Sequence, residues 1–255
     1  MMEKPPHIVA IIQARMGSSR LPGKILLDIA GLPMLARVVE RVRRAETIDE
    51  VVVATTVERE DDVVAQYCQD QGYPYIRGDN LDVLKRYWQA AQTFKADIIV
   101  RITADCPLMD PRVVDRTVNA FLSSYPKAQF GTDRGLDQIR RTYPIGMDVE
   151  VMTYDALNMA YHEAKEAYQR EHVTPFLYEV IGCFDKTSVD AEGDYGSQRW
   201  AVDTPEDLAF VREIYARLAE KENFGFEDVI SLLEREPALL EINAQITQKD
   251  MHDVG

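Results

Sequence analysis

The sequence is poor in positive charge, in cysteine and histidine, and in long apolar runs. Lys and Arg number 29 against 43 Asp and Glu, for a formal net charge of -14. Proteins that grip phosphate backbones usually present a basic face, so nucleic acid is not an expected partner. The three cysteines, Cys68, Cys106 and Cys183, are odd in number and lack metal-site spacing, which reads as reduced thiols. The four histidines are scattered and form no zinc pattern. No apolar run approaches a bilayer span, and the first residues, MMEKPPH, lack the apolar core of a signal peptide, so no membrane partner and a cytoplasmic location are expected. There is no internal repeat and no low-complexity linker.

What the chain does have is concentrated at one stretch, Ile8 to Lys24, IVAIIQARMGSSRLPGK. Ile8 to Ile12 is an unbroken apolar run rich in β-branched residues, the pattern of a strand buried on both faces in a parallel sheet. The following loop supplies Arg15, Arg20 and Lys24 as cations and Ser18 and Ser19 as donors. Gly17 and Gly23 let backbone approach a ligand closely. These are the parts of a polyphosphate cradle, or of an exposed basic loop with no ligand. It is not a P-loop: five residues separate Gly17 from Gly23, and Ile25 stands where a Ser or Thr would hold Mg²⁺. If the substrate is anionic, this loop and a divalent metal must reverse the repulsion of an acidic chain locally.

Downstream, helix and strand patterns alternate: a helix over Pro33 to Ala45, a strand over Val51 to Ala54, and a helix over Glu60 to Gly72 with Val63, Val64 and Tyr67 inward. A strand at Pro74 to Ile76 and another at Asp97 to Ile102 follow. This order predicts an α/β fold, a parallel sheet with helices on its faces. Arg77, Asp79, Asp82 and Arg86 in RGDNLDVLKR cluster where a base or ribose could lie, or form an ion-pair group opening a helix. Asp105, in Thr103-Ala104-Asp105-Cys106-Pro107, falls past a strand's C-terminal end, where a carboxylate can hold Mg²⁺ or cap a turn. Asp110 and Pro111 open a helix to Leu122. Tyr125 to Gly146 is irregular and reads as the start of a lobe.

Met147 to Val151 then alternates, placing Asp148 and Glu150 on one face, where they either bind sugar hydroxyls or face water on an edge strand. Helices are expected over Tyr154 to Lys165 and Gln169 to Ile181. His172, in Arg170-Glu171-His172-Val173-Thr174, is a candidate for substrate recognition or a structural hydrogen-bonder. Trp200 to Val202 reads as a strand. Thr204, Pro205 and Asp207 then spell a helix start of capping-box type running to Leu218, which leaves Asp203 free as a second metal-ligand candidate. Phe226 to Glu234 and Pro237 to Ile246 read as closing helices with a frayed tail.

The motifs IIQARMGSSRLPGK, RGDNLDVLKRY, VRITADCPLMDP, YPIGMDVEV, REHVT and VDTPEDL, in this order, resemble the cytidylyltransferases that activate sugar acids. That group includes the CMP-sialic acid and CMP-Kdo synthetases, and the likeness is greatest to the spore coat polysaccharide biosynthesis (SpsF) branch. It covers nearly all of residues 7 to 220. The resemblance implies a three-layer α/β/α sandwich of the nucleotide-diphospho-sugar transferase type, a homodimer, and transfer of CMP from CTP to a sugar or sugar acid with release of pyrophosphate. It implies a nucleotide-binding half over 7–124, an acceptor-binding and dimerisation lobe over 125–203, and closing helices over 204–255. Arg15 and Lys24 would contact the triphosphate, and backbone near Ala10 to Ala14 with side chains near Arg77 would recognise base and ribose. Asp105 and Asp203 match the Mg²⁺-binding carboxylates; Gly17, Ser18, Ser19, Arg20, Asp82 and Thr103 complete the nucleotide side. Asp148, Glu150 and His172 fall to the acceptor. Cys106 stands where Kdo enzymes carry Glu, and YPIGMDVEV departs from the sialic acid enzymes, so the acceptor is left open. The competing readings are a nucleotidyltransferase acting on a sugar or polyol phosphate, a glycosyltransferase using a nucleotide sugar, and a nucleotide-binding protein without chemistry.

Overall fold

The computed structural model describes residues 4–136, 140–180, 182 and 184–248. Cys183, the expected helix end at Ile181 and the last residues of the tail lie outside the described residues. The elements run β1 (Ile8–Gln13), β2 (Asp28–Ile29), β3 (Leu32–Pro33), α1 (Met34–Val42), β4 (Glu50–Thr56), α2 (Asp62–Gln71), β5 (Tyr75–Gly78), α3 (Val83–Thr93) and β6 (Ile98–Thr103). The chain continues through α4 (Pro111–Leu122), β7 (Ala128–Thr132), β8 (Glu150–Thr153), α5 (Tyr154–Glu163), α6 (Ala167–His172) and α7 (Pro175–Glu179). It closes with β9 (Asp185–Ser188), α8 (Pro205–Arg217) and α9 (Phe226–Arg235).

Seven strands form one sheet in the order β5-β4-β1-β6-β8-β7-β9, while β2 and β3 make a small hairpin apart from it. Every neighbouring pair in the large sheet is parallel except those of β8, which runs against both β6 and β7. One face is covered by α1, α2, α4, α8 and α9 and the other by α3, α5 and α7, so the sheet is the middle of three layers. β1 shows why: Ile8, Ala10 and Ile12 pack on one side and Val9 and Ile11 on the other, all 5% exposed or less. Each fully buried aliphatic side chain contributes about 1.5–3 kcal/mol relative to exposure. α1 spends Leu35, Val38, Val39 and Val42 on the sheet, as its spacing requires.

Several expectations are corrected. α2 turns Val64 and Tyr67 inward as its spacing implies and adds Cys68, but Val63 is 47% exposed rather than inward. The segment expected to be irregular contains β7, whose AQFGT is too short and too glycine-poor at its ends to announce a strand. β8 begins only at Glu150, and it lies inside the sheet between β6 and β7 rather than at an edge. Gln169 to Ile181 is not one helix: Val173 takes φ of 73° and Pro175 opens α7, which divides the stretch.

Trp200 to Val202 is not a strand. It is a bent segment held by an isolated bridge between Ile145 and Arg199, with the Trp200 and Ala201 N–H groups both donating to the Ile145 carbonyl at 2.7 and 3.0 Å. Gly146 makes this approach possible. Its φ is 103°, and an added Cβ would lie 2.7 Å from the Trp200 carbonyl carbon and closer still to the Ala201 nitrogen. Gly146→Ala is therefore expected to destabilise the protein by at least about 1–3 kcal/mol and to displace Asp203. A urea titration with a nucleotide-binding assay on the folded variant checks both.

Candidate active site

The chain leaves β1, passes outward through β4 and β5, and returns to β6 on the other side of β1. The gap beyond the C-terminal ends of β1 and β6 is thus a switch point, where α/β sheets open a crevice. The loop after β1 reaches it from one side and Asp105, two residues past β6, from the other. Because β8 alone is reversed, its first residue Glu150, the C-terminal ends of β7 and β9 and the preceding Asp148 fall at the same edge.

The loop is fixed by buried groups. The Met16 N–H donates to Asp61 Oδ1 at 2.6 Å, and the Thr56 hydroxyl holds the other oxygen of this 1%-exposed carboxylate. The Gly23 N–H closes the loop onto the Met16 carbonyl at 2.9 Å, with Gly23 at a φ of 70°, which favours glycine. Lys24 then begins a short 3-10 turn whose Ile25 is in the core. Gly17 and Ser19 remain exposed at the loop's tip, and Ser18 accepts from the Leu21 N–H at 3.3 Å. Ala14 is buried, its N–H bonded to the Ala54 carbonyl at 3.1 Å.

Lys24, Asp105 and Asp203 meet. The Lys24 ammonium donates to Asp105 Oδ2 at 2.7 Å, to Asp203 Oδ1 at 2.8 Å and to the Val202 carbonyl at 2.8 Å. The Thr103 hydroxyl donates to Asp105 Oδ1 at 2.6 Å, while Arg20 and Arg199 reach Asp203 Oδ2 at 2.8 and 2.5 Å. Burial opposes the charge on Lys24, but Asp105 and Asp203 outweigh it and hold the ammonium above its ordinary range. Burial likewise pushes Asp105 up, and Lys24 with the Thr103 hydroxyl more than reverses this, leaving it below the usual carboxylate range. The site is therefore ionic across neutral pH. Beside it, the Cys106 thiol is pushed well up by burial and by Asp105 and Asp148, which keeps it protonated and unreactive.

Asp203 does not follow a strand, yet it arrives where expected because Asp207 does more than cap α8. Its Oδ2 accepts from the Asp203 and Thr204 N–H groups at 3.0 and 3.1 Å, and its Oδ1 takes Arg199 Nε at 3.0 Å. Arg199 and Asp61, both absent from the sequence reading, are thus the residues that hold the site's two loops. Asp61 hides in an acidic run, and Arg199 pairs with Asp203 four residues on across a bend rather than a helix, so its i,i+4 spacing carries no local signal.

Other candidates are engaged elsewhere. Arg15 points to Asn80 Oδ1 at 3.3 Å and Glu171 at 3.9 Å, long contacts that leave it on the crevice side of the loop. Arg77 braces the turn after β4, donating to the Thr56 and Glu58 carbonyls and pairing with Asp62 at 2.7 Å. Asp82 caps α3 through the Lys85 N–H and accepts from Nε and Nη2 of Arg170 at 3.0 and 2.5 Å. His172 ends α6, its carbonyl accepting from the Thr174 N–H at 2.9 Å.

Glu150 does not face water, and the Asp148 side chain is only 20% exposed. Asp148 pairs with Arg141 and Arg134, and burial, which raises it, is outweighed by these two cations. Glu150 is fully buried between Arg101 at 2.5 Å and the Thr174 hydroxyl at 2.8 Å. Behind them, burial first and then Asp148 push the Asp133 carboxyl well above the usual range, and its Oδ2 has no partner among the described residues. The folded protein thus keeps a proton there that the unfolded chain releases, so stability falls as pH rises above about 3.9. Asp133→Asn keeps the acceptor for the Val149 N–H and removes that loss. Urea midpoints should show the variant gaining on the wild type between pH 4.5 and 8, and parallel profiles would contradict this.

Among the described residues no group of three His, Cys, Asp or Glu converges as a metal site, and no helix is long and apolar enough to cross a membrane. The profile of the cytidylyltransferase family matches residues 9–239. The spore coat polysaccharide biosynthesis protein SpsF of Bacillus subtilis is 30% identical over 241 residues, covering 90% of this chain and 95% of that protein. Among solved structures, a cytidylyltransferase from Leptospira borgpetersenii serovar Hardjo-bovis aligns with a TM-score of 0.87 at 32% identity, over 96% of this chain and all of that one. A CMP:2-keto-3-deoxy-manno-octonic acid synthetase complexed with CTP aligns with a TM-score of 0.63 at 26% identity, over 82% of this chain and 98% of the other. A family profile over most of the chain and relatives at about a third identity along nearly their whole length agree with this geometry, and the chain belongs to the cytidylyltransferase family.

Proposed function

We propose that the protein transfers CMP from CTP to a hydroxyl of a sugar or sugar acid used in a surface polysaccharide. The acceptor oxygen attacks the α-phosphorus, the bond from that phosphorus to the bridging oxygen breaks, and pyrophosphate leaves. The observation that carries this reading is the Lys24 ammonium seated between Asp105 and Asp203 beside the exposed tip of the cationic loop. Pyrophosphate leaves with heavy negative charge, so the work of the chain is to position the triphosphate and neutralise that charge. Arg15, Arg20 and Lys24 supply the cations, and the free N–H groups at Gly17 and Ser19 suit phosphate oxygens.

Mg²⁺ fits Asp105 and Asp203. They offer hard oxygen donors, a cation already lies between them at 2.7 and 2.8 Å, and Mg²⁺ is commonly held by one or two carboxylates plus phosphates. When bound there it would offset phosphate charge and lower the pKa of a coordinated hydroxyl. Support for the sugar class comes from the polysaccharide and octonic acid enzymes to which the chain is similar. The test is a pyrophosphate-release screen of four nucleoside triphosphates with Mg²⁺ against sialic acid-like, Kdo-like and phosphorylated sugars. Release with CTP and a non-phosphorylated sugar acid is expected. Release only with phosphorylated acceptors, or with none, would overturn the reading.

A further inference from the structure

An ammonium has three hydrogens to donate, and all three of Lys24's are spent inside the protein, on Asp105, Asp203 and the Val202 carbonyl. The residue is 8% exposed, so as it stands it offers nothing to a phosphate. The carboxylates are equally well served: Asp105 also takes the Thr103 hydroxyl, and Asp203 takes Arg20 and Arg199. Lys24, Arg20 and Arg199 face Asp105, Asp203 and Asp207, so the cluster is neutral as it stands. A divalent cation entering alone would bring two charges into a balanced site and would have to expel an ammonium with nowhere to go. A triphosphate changes that balance, since it brings a second anion to which the ammonium can turn.

We propose that Lys24 holds the cation position between Asp105 and Asp203 while the nucleotide site is empty, and that a divalent cation gains these carboxylates only together with a triphosphate. Free metal is refused, and metal and nucleotide enter as one. This rests on the metal assignment made above and adds the order in which the site fills. By linkage, metal and triphosphate raise each other's affinity by the same factor.

The experiment is Mn²⁺ binding followed by electron paramagnetic resonance on the full chain, with no nucleotide, with CTP and with inorganic tripolyphosphate. Asp105→Asn corrects for metal held by free phosphates. The wild type is expected to bind Mn²⁺ about 10-fold or more tightly when CTP or tripolyphosphate is present. Lys24→Met keeps the apolar stem and removes the charge, and it should gain about 10-fold or more in Mn²⁺ affinity without nucleotide. Equal affinities for the wild type with and without triphosphate would overturn the proposal even if Lys24→Met does not fold. So would a folded Lys24→Met that gains nothing. Failure of every protein to bind Mn²⁺ under any condition would remove the metal assignment as well, while leaving CTP binding to decide the nucleotide reading on its own.

Discussion

Asp105→Ala is expected to lower pyrophosphate release from CTP by about 100- to 1,000-fold, the range seen when one preorganised electrostatic group is removed from a reacting centre. The carboxylate is two residues past the end of β6, fixed by the Thr103 hydroxyl at 2.6 Å and by Lys24 at 2.7 Å. Its loss removes one side of the cation position and leaves Lys24 with a single carboxylate. Because Lys24 keeps Asp203 and the Val202 carbonyl, the fold should survive, so the deficit belongs to turnover. Asp148→Ala is the comparison. Asp148 holds Arg141 and Arg134 rather than the Lys24 cluster, so its removal should change acceptor KM and stability more than kcat. Steady-state kinetics showing both variants near wild-type turnover would sink the assignment of Asp105.

The second large effect concerns the ion pair inside the sheet behind Asp148. Glu150→Ala should destabilise the protein by about 3–5 kcal/mol, because it leaves the Arg101 guanidinium buried without a counter-charge. Arg101 is 8% exposed and Glu150 fully buried, at paired positions of β6 and β8. A typical domain is stable by only about 5–15 kcal/mol, so the loss would be plain in a urea titration. The double variant Arg101→Met with Glu150→Leu is expected to cost less than either single change, since an apolar pair of similar size needs no desolvated charge. A double variant as unstable as the sum of the singles would mean that Arg101 and Glu150 do not compensate each other, and would contradict this reading of the pair.

How much of this was legible in the sequence depended on how local the cause was. β1, β4 and β6 announce themselves through β-branched runs, and α4 and α8 through Asp110 and Thr204, whose side chains accept from the Arg112 and Asp207 N–H groups as their spacing implies. The meeting of Lys24 with Asp105 was also readable, because parallel strands put successive loops at one edge. What stayed hidden were causes that act across the chain. The reversal of β8 and the insertion of β7 beside it put Glu150 inside the sheet, where alternation alone had suggested an exposed face. Asp82 could be read from sequence as a nucleotide contact or as part of an ion-pair group, and its pairing with Arg170, 88 residues away, was out of view. Asp203 was found by elimination from the helix cap, although the bent segment that delivers it depends on Gly146 and Arg199 rather than on strand pairing.

The most direct test is a crystal structure with a non-hydrolysable CTP analogue and Mn²⁺, located by its anomalous scattering. The β- and γ-phosphates are expected against the loop from Arg15 to Lys24, and the metal on Asp105 and Asp203 with the Lys24 ammonium turned toward phosphate. A triphosphate bound away from this loop, or a metal held by other carboxylates with Lys24 still between Asp105 and Asp203, would contradict this placement.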